Sequence, residues 1–225
     1  MIRVQSVSVE IEGSLILQNL TLDLDQKRIG IVGLNGSGKS TFARLLNGLQ
    51  LPTSGKVTVA GDDTKTDGKA VRRNVGFVFQ NPENQIVYPT VSEDLAFGLK
   101  NLKKKKEQIT ELVSKALEEY ALSHLAHSFT HHLSGGEKQM IALIGVMIME
   151  PNYIVMDEPT TLLDLRNKRR LMSVIEQLKQ SVFMVTHDLD LLGSFDRVLC
   201  FHKGQLAADD VPSVAIPKYL EFCAE

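Results

Sequence analysis

Cysteine is scarce in this sequence: only Cys200 and Cys223 occur among 225 residues, too few for a disulfide framework and without metal-ligand spacing. They read as reduced thiols of a cytosolic protein. Long apolar runs are lacking too, the longest being the ten residues from Met140 to Met149, even counting Gly145. A bilayer-crossing helix needs about 20 apolar residues, so none is expected. The opening MIRVQSVSVE has no charged start followed by a long apolar stretch, and no secretory signal is expected either. The expectation is a cytoplasmic chain whose membrane association comes through a partner. Nor does one sign of charge dominate, because 25 basic and 27 acidic side chains leave a formal net charge of -2. That balance argues against a dominant nucleic-acid-binding surface, and no nucleic-acid partner is expected. What the chain does have is 43% hydrophobic residues, enough to bury a core as one domain or one domain with a subdomain.

Periodicity changes along the chain. Val4, Val7 and Val9, then Leu15, Leu17, Leu20, Leu22 and Leu24, alternate as in two or three antiparallel strands, with turns near Glu12-Gly13 and Gln18-Asn19. A short apolar strand at 28–32 runs into a glycine-rich turn and a helix at 40–49, closed by Gly48 and Pro52. Strands are predicted at 56–60 and 75–79, separated by a polar, turn-prone stretch from Gly61 to Arg73. From Asn81 to His132 helical spacing takes over, with Ile109, Leu112, Val113, Ala116 and Leu117 on one face and the solvated run Lys103–Lys106 at its start. A long apolar helix to Met149, a strand at 153–157, a charged helix at about 165–179, a strand at 182–186 and a hairpin at 197–208 follow. The tail after Pro212 carries no signal. Strands alternating with helices predict a parallel α/β core with a β layer in front and a helical insertion in the middle.

The chemistry concentrates at a few places. Gly33-Leu34-Asn35-Gly36-Ser37-Gly38-Lys39-Ser40 fits G-x-x-x-x-G-K-[ST] between a strand and a helix. Glycines there let backbone N–H groups surround phosphate oxygens, and the following helix points its positive end at the same charge. Lys39 would reach the β- and γ-phosphates of ATP, and Ser40 would offer its hydroxyl to Mg²⁺. The strand 153–157 ends in Asp157 and Glu158, at the sheet edge where an open parallel sheet places its ligands. Asp157 would hold Mg²⁺, while Glu158 would polarise the attacking water. A second apolar strand ends in Thr186-His187, whose imidazole could orient the γ-phosphate or the water. His124, His127, His131 and His132 also cluster in sequence and read as a solvated helix-and-loop surface.

Leu133-Ser-Gly-Gly-Glu-Lys-Gln139 resembles the LSGGQ-type signature of ATP-binding-cassette (ABC) ATPases, which no other P-loop class carries. The other family motifs stand in the same order over about residues 2 to 210. They are the P-loop at 33–41 including Thr41, a Q-loop glutamine at Gln80, Ser134-Gly135-Gly136 and the Walker B pair Asp157-Glu158. A D-loop aspartate at Asp164 and a switch histidine at His187 complete the set. The resemblance implies an α/β fold: a P-loop NTPase (RecA-like) parallel-sheet core with an antiparallel β subdomain, about 1–80 and 136–225, and an inserted helical subdomain, about 81–135. It implies Gln80 as a further Mg²⁺ ligand and catalytic residue. It also implies that Ser134 and the Gly135 and Gly136 amides of one chain face the γ-phosphate bound by another. Two ATP molecules would be sandwiched between identical or paralogous ATPase chains.

Within that family, the stretch Gln80-Asn-Pro-Glu-Asn-Gln85-Ile followed by Thr90 to Gly98 is similar to the energy-coupling-factor group. Those ATPases drive vitamin and transition-metal uptake, and the length of 225 residues is similar to the ATPase of bacterial biotin transporters. The resemblance implies that residues 81–98 engage a transmembrane coupling subunit, with a substrate-binding membrane subunit alongside, at the inner face of a prokaryotic cell membrane. Three positions depart from the pattern. Ile11 falls where many members stack an aromatic on adenine, which removes about 1 kcal/mol of stacking. Met140 replaces a common Arg, and Thr160-Thr-Leu-Leu-Asp164 lacks the usual small residues before Leu163. Competing readings are a soluble ABC ATPase of DNA repair or translation, the ATPase of a conventional ABC importer, and a small-molecule kinase. The short 81–132 insertion opposes the first and the signature opposes the last.

Overall fold

The computed structural model describes residues 1–223. In chain order the elements begin with β1 (Ile2–Ile11), β2 (Ser14–Leu24), β3 (Arg28–Gly33), α1 (Lys39–Leu46), β4 (Ser54–Val59), β5 (Asp62–Asp63), α2 (Gly68–Asn74) and β6 (Val75–Val78). Then come α3 (Val91–Asn101), α4 (Lys106–Glu119), α5 (Gly135–Met147), β7 (Tyr153–Asp157), α6 (Leu165–Gln177), β8 (Ser181–Val185), β9 (Arg197–His202), β10 (Gln205–Asp210) and α7 (Pro212–Cys223). They fall into two compact units. One comprises Met1–Phe77, Asn152–Glu158 and the chain from Leu178 onward; the other comprises Val78–Pro151 and Pro159–Gln177.

The first unit holds both sheets. One is antiparallel in the order β2-β1-β4-β5; the other runs β10-β9-β3-β8-β7-β6. In the second sheet β3 pairs in parallel with β8 and β9, and β7 with β8, while β10 is antiparallel to its neighbour β9. All six residues of β3 are buried, as a parallel strand covered on both faces requires. Phe42 of α1 packs its ring 4.9 Å from Phe201 of β9, which fixes the helix on the sheet. Strand β2 runs unbroken through Gln18-Asn19, where the sequence predicts a turn. Asn19 takes φ 45° and donates its N–H to the Ser8 hydroxyl, and the β1–β2 register shifts around Val7 and Val9. The conformational signal of Asn is spent on a bulge. The polar stretch 61–73 contains β5 and most of α2. The tail is helical as well: α7 buries Ala215 and Tyr219, and Ala215 O accepts a contact from Cys200 Sγ at 3.3 Å.

The second unit is helical. Thr90 and Glu93 make a capping box that starts α3. A Cβ on Gly145 would lie 3.6 Å from Leu95 Cδ2, and one on Gly98 would meet Met149 Sδ, so α3 and the end of α5 touch closely. The unit takes in α5 and α6, beyond the 81–135 expected for the helical subdomain. Arg170 of α6 donates to the Tyr120 carbonyl, at the end of α4, at 2.6 Å. Among the described residues no helix is long and apolar enough to cross a membrane.

Candidate nucleotide-binding site

The first unit carries the half that the sequence reads as the phosphate site. Strand β3 ends at Gly33 and α1 begins at Lys39, so Leu34 to Gly38 form the intervening turn. Gly38 caps the helix at φ 99°, and a Cβ there would lie 2.5 Å from Leu17 Cδ2, so both backbone and space demand glycine. Leu34, Asn35 and Gly36 are exposed, whereas Ser37 and Lys39 are buried. Lys39 Nζ donates to the Gly33 and Leu34 carbonyls at 2.8 and 3.1 Å. Burial holds its pKa below the usual lysine value, and the nearby Glu158 and Asp157 charges partly oppose that. The Ser37 hydroxyl is buried without a hydrogen-bond partner. An orphaned polar atom in a glycine-lined turn beside a buried ammonium fits a phosphate.

Strands β7 and β8 bring the acidic and imidazole groups to the same edge. Ser40 Oγ donates to Asp157 Oδ1 at 2.9 Å, and Arg44 Nη2 stands 4.0 Å from Asp157 Oδ2. Burial pushes the Asp157 carboxyl above its ordinary range, with the Ser40 hydrogen bond and Arg44 pulling the other way. Two hard oxygen donors side by side suit Mg²⁺, which commonly takes one or two protein ligands together with phosphate oxygens. Among the described residues no group of three or more His, Cys, Asp and Glu could hold a metal, so the four His residues near 124–132 make no site. Glu158 sits one residue past the strand at φ 49°, its N–H donating to Val185 O at 3.0 Å. A non-glycine residue in the left-handed region costs about 1 kcal/mol, and here the sheet hydrogen bond over-determines it. The turn sets Glu158 Oε1 2.8 Å from Nε2 of the exposed His187. Ile11 closes β1 at the hairpin turn and is 40% exposed.

The second unit carries the signature half. Ser134 is the N-cap of α5, and Ser134 and Gly135 are exposed while Gly136 is buried. A Cβ on Gly136 would fall 2.4 to 2.6 Å from three side-chain atoms of Asn167. Asn167 in turn donates its N–H to Asp164 Oδ1 at 2.8 Å and its amide to Asp164 Oδ2 at 3.1 Å. Leu162 and Leu165, on either side of Asp164, are 62% and 65% exposed. Gln80 lies exposed two residues beyond β6. Gln85 accepts from the Phe79 N–H at 3.2 Å and donates to the Ala142 carbonyl at 2.7 Å, fastening the loop to α5. Further along, Tyr88 and Phe97 pair at 5.2 Å, Lys100 lies over the Tyr88 ring, and Val87 is 66% exposed. Glu137, Asn167 and Gln85 were not singled out from the sequence. The S-x-x-E pattern at Ser134 and the D-x-x-N pattern at Asp164 are signals that find the first two.

The model of the ABC transporter family matches residues 17–161. The chain is 56% identical to an ABC transporter ATP-binding protein of Bartonella henselae, covering 91% of each chain. It is 46% identical to the biotin transport ATP-binding protein of Rhizobium etli, covering 99% of each. It is 40% identical to an energy-coupling-factor transporter ATP-binding protein of Halalkalibacterium halodurans, covering 83% of this chain and 69% of that one. Among solved structures, cbiO1 of Clostridium perfringens, part of the ABC transporter complex cbiONQ, superposes with TM-score 0.85 at 28% identity, covering 99% of this chain and 93% of that one. The chain belongs to the ABC transporter ATP-binding family, is similar to its energy-coupling-factor members, and is an ATPase.

Proposed function

We propose that this protein is the ATP-hydrolysing subunit of an energy-coupling-factor importer that takes up a vitamin, biotin foremost, or a transition-metal ion. The observation that carries the enzymatic part is the cluster at one sheet edge: Lys39 beside the glycine turn, Ser40 on Asp157 at 2.9 Å, and Glu158 on His187 at 2.8 Å. In this reading the amides of Gly33 to Thr41 and the Lys39 ammonium bind the phosphates. Ser40 and Asp157 would hold Mg²⁺, which would neutralise charge on the phosphate oxygens. Glu158 accepts a proton from the attacking water, and His187 fixes that carboxylate's orientation while its ring can face the γ-phosphate. Ile11 gives adenine an aliphatic rather than aromatic neighbour.

Ser134, Gly135 and Gly136 act on ATP held by another copy or a paralogue. They open a 13-residue helix whose positive end suits a γ-phosphate, with Ser134 and Gly135 exposed. The exposed Leu162 and Leu165 belong to the same closing surface. The apolar group Val87, Tyr88 and Phe97, inside 81–98, is the surface offered to a transmembrane coupling subunit. That contact keeps the ATPase at the inner face of the membrane.

Gentle affinity purification from detergent-solubilised native membranes, with partners identified by mass spectrometry, tests the transport reading. A polytopic coupling protein with a small substrate-binding membrane protein is expected, and the identity of the latter names the solute. Reproducible recovery of soluble proteins or nucleic acid alone would overturn the transport reading and leave the ATPase standing.

A further inference from the structure

The signature serine is engaged within its own chain. Ser134 Oγ donates to Glu137 Oε2 at 2.6 Å, and the Ser134 N–H donates to that same oxygen at 2.8 Å. The Glu137 N–H returns a longer bond of 3.4 Å to Ser134 Oγ. A serine hydroxyl has one hydrogen to give, and an ionised carboxylate only accepts. Those Ser134 bonds hold the Glu137 carboxyl below the usual carboxylate range, with His124 and Arg170 adding smaller contributions. A γ-phosphate is likewise an anionic acceptor, so two acceptors compete for one proton.

We propose that Glu137 is a positioning residue that restrains the signature serine. Ser134 gives its hydrogen bond to ATP carried by another chain only on leaving Glu137, so this carboxylate sets the ATP concentration at which two chains close. The inference rests on the composite-site reading above. Its chemical basis is that a charge-assisted hydrogen bond is about twice as strong as a neutral one. Glutamine at 137 can keep the capping box and still accept from the Ser134 N–H, because the box tolerates Glu or Gln. It would hold the hydroxyl more weakly and carry no charge against an incoming phosphate. The Arg170 cation lessens that repulsion in the natural chain and leaves the competition for the proton in place.

The test is steady-state ATP hydrolysis by the full chain in four forms: natural, Glu137→Gln, Ser134→Ala and both together. Glu137→Gln should lower KM for ATP by about fivefold, the scale of one net hydrogen bond, with kcat little changed. Ser134→Ala should raise KM, and adding Glu137→Gln to it should lower KM by far less than fivefold, the part due to charge alone. A KM for Glu137→Gln equal to that of the natural chain overturns the proposal. So does an equal fall in KM in the Ser134→Ala background, which would make the effect one of charge alone. If Ser134→Ala behaves as the natural chain does, the composite-site reading itself falls, and this proposal with it.

Discussion

The phosphate half and the signature half are held by different parts of the polypeptide. In the first, main chain does the positioning: β3 is paired on both sides, Gly38 fits only without a side chain, and Glu158 is turned by a sheet hydrogen bond to Val185. In the second, side chains do it: Ser134 with Glu137, Asp164 with Asn167, Glu83 with Lys138, and Gln85 with the α5 carbonyl of Ala142. Interior strands open only with the sheet, whereas exposed side-chain ties exchange easily. In the proposed composite site the phosphate half would therefore be set before nucleotide arrives, and the signature half would be the one to rearrange when chains meet.

The largest expected effect separates chemistry from holding. Glu158→Gln keeps the size of the side chain and removes the base, so turnover should fall on the order of a thousandfold while ATP remains bound. Hydrolysis at the natural rate would remove Glu158 from the reaction. A smaller effect separates the two halves. Gly136→Ala drives a methyl into Asn167, at a cost of about 1–3 kcal/mol. Turnover should drop about tenfold, with nucleotide affinity measured at low protein concentration unchanged. Adding Asn167→Ala should restore much of that activity; a double variant as slow as the single one would show that the side-chain tie is not what glycine protects.

The smallest effect is on stability. Burial raises Asp157 above its unfolded value, so the folded chain keeps this proton to higher pH than the unfolded one. Ionised Asp157 therefore costs stability above its folded pKa, and the cost disappears below the unfolded value. Asp157→Asn should raise the melting temperature of nucleotide-free protein near neutral pH. The gain should shrink as pH falls into the ordinary carboxylate range. A gain that is flat with pH would mean that packing, not charge, is relieved.

Much of the phosphate half could be read from sequence because its chemistry depends on spacing along one strand-turn-helix. Asp157 ends an apolar strand and Glu158 follows it, while Lys39 and Ser40 open the helix after the glycine turn. The signature half was readable as a motif but not as a mechanism, since Asn167 meets Gly136 across some thirty residues and Gln85 ties a loop to a helix 57 positions away. In the β layer, Asn19 looked like a turn because turns and bulges both use positive φ. The two-residue β5 and seven-residue α2 are too short for periodicity to register, and α7 carries Pro217 inside it. Such elements form through tertiary packing rather than local preference.

Helix α7 also decides how the two thiols differ. Cys200 is buried under Ala215, and burial pushes its pKa up to about 11. Its thiolate is scarce at neutral pH, so a maleimide dye meets exposed Cys223 first. The natural sequence thus carries a ready attachment point for a fluorophore on α7, and energy transfer between labelled copies would report any association without an engineered cysteine.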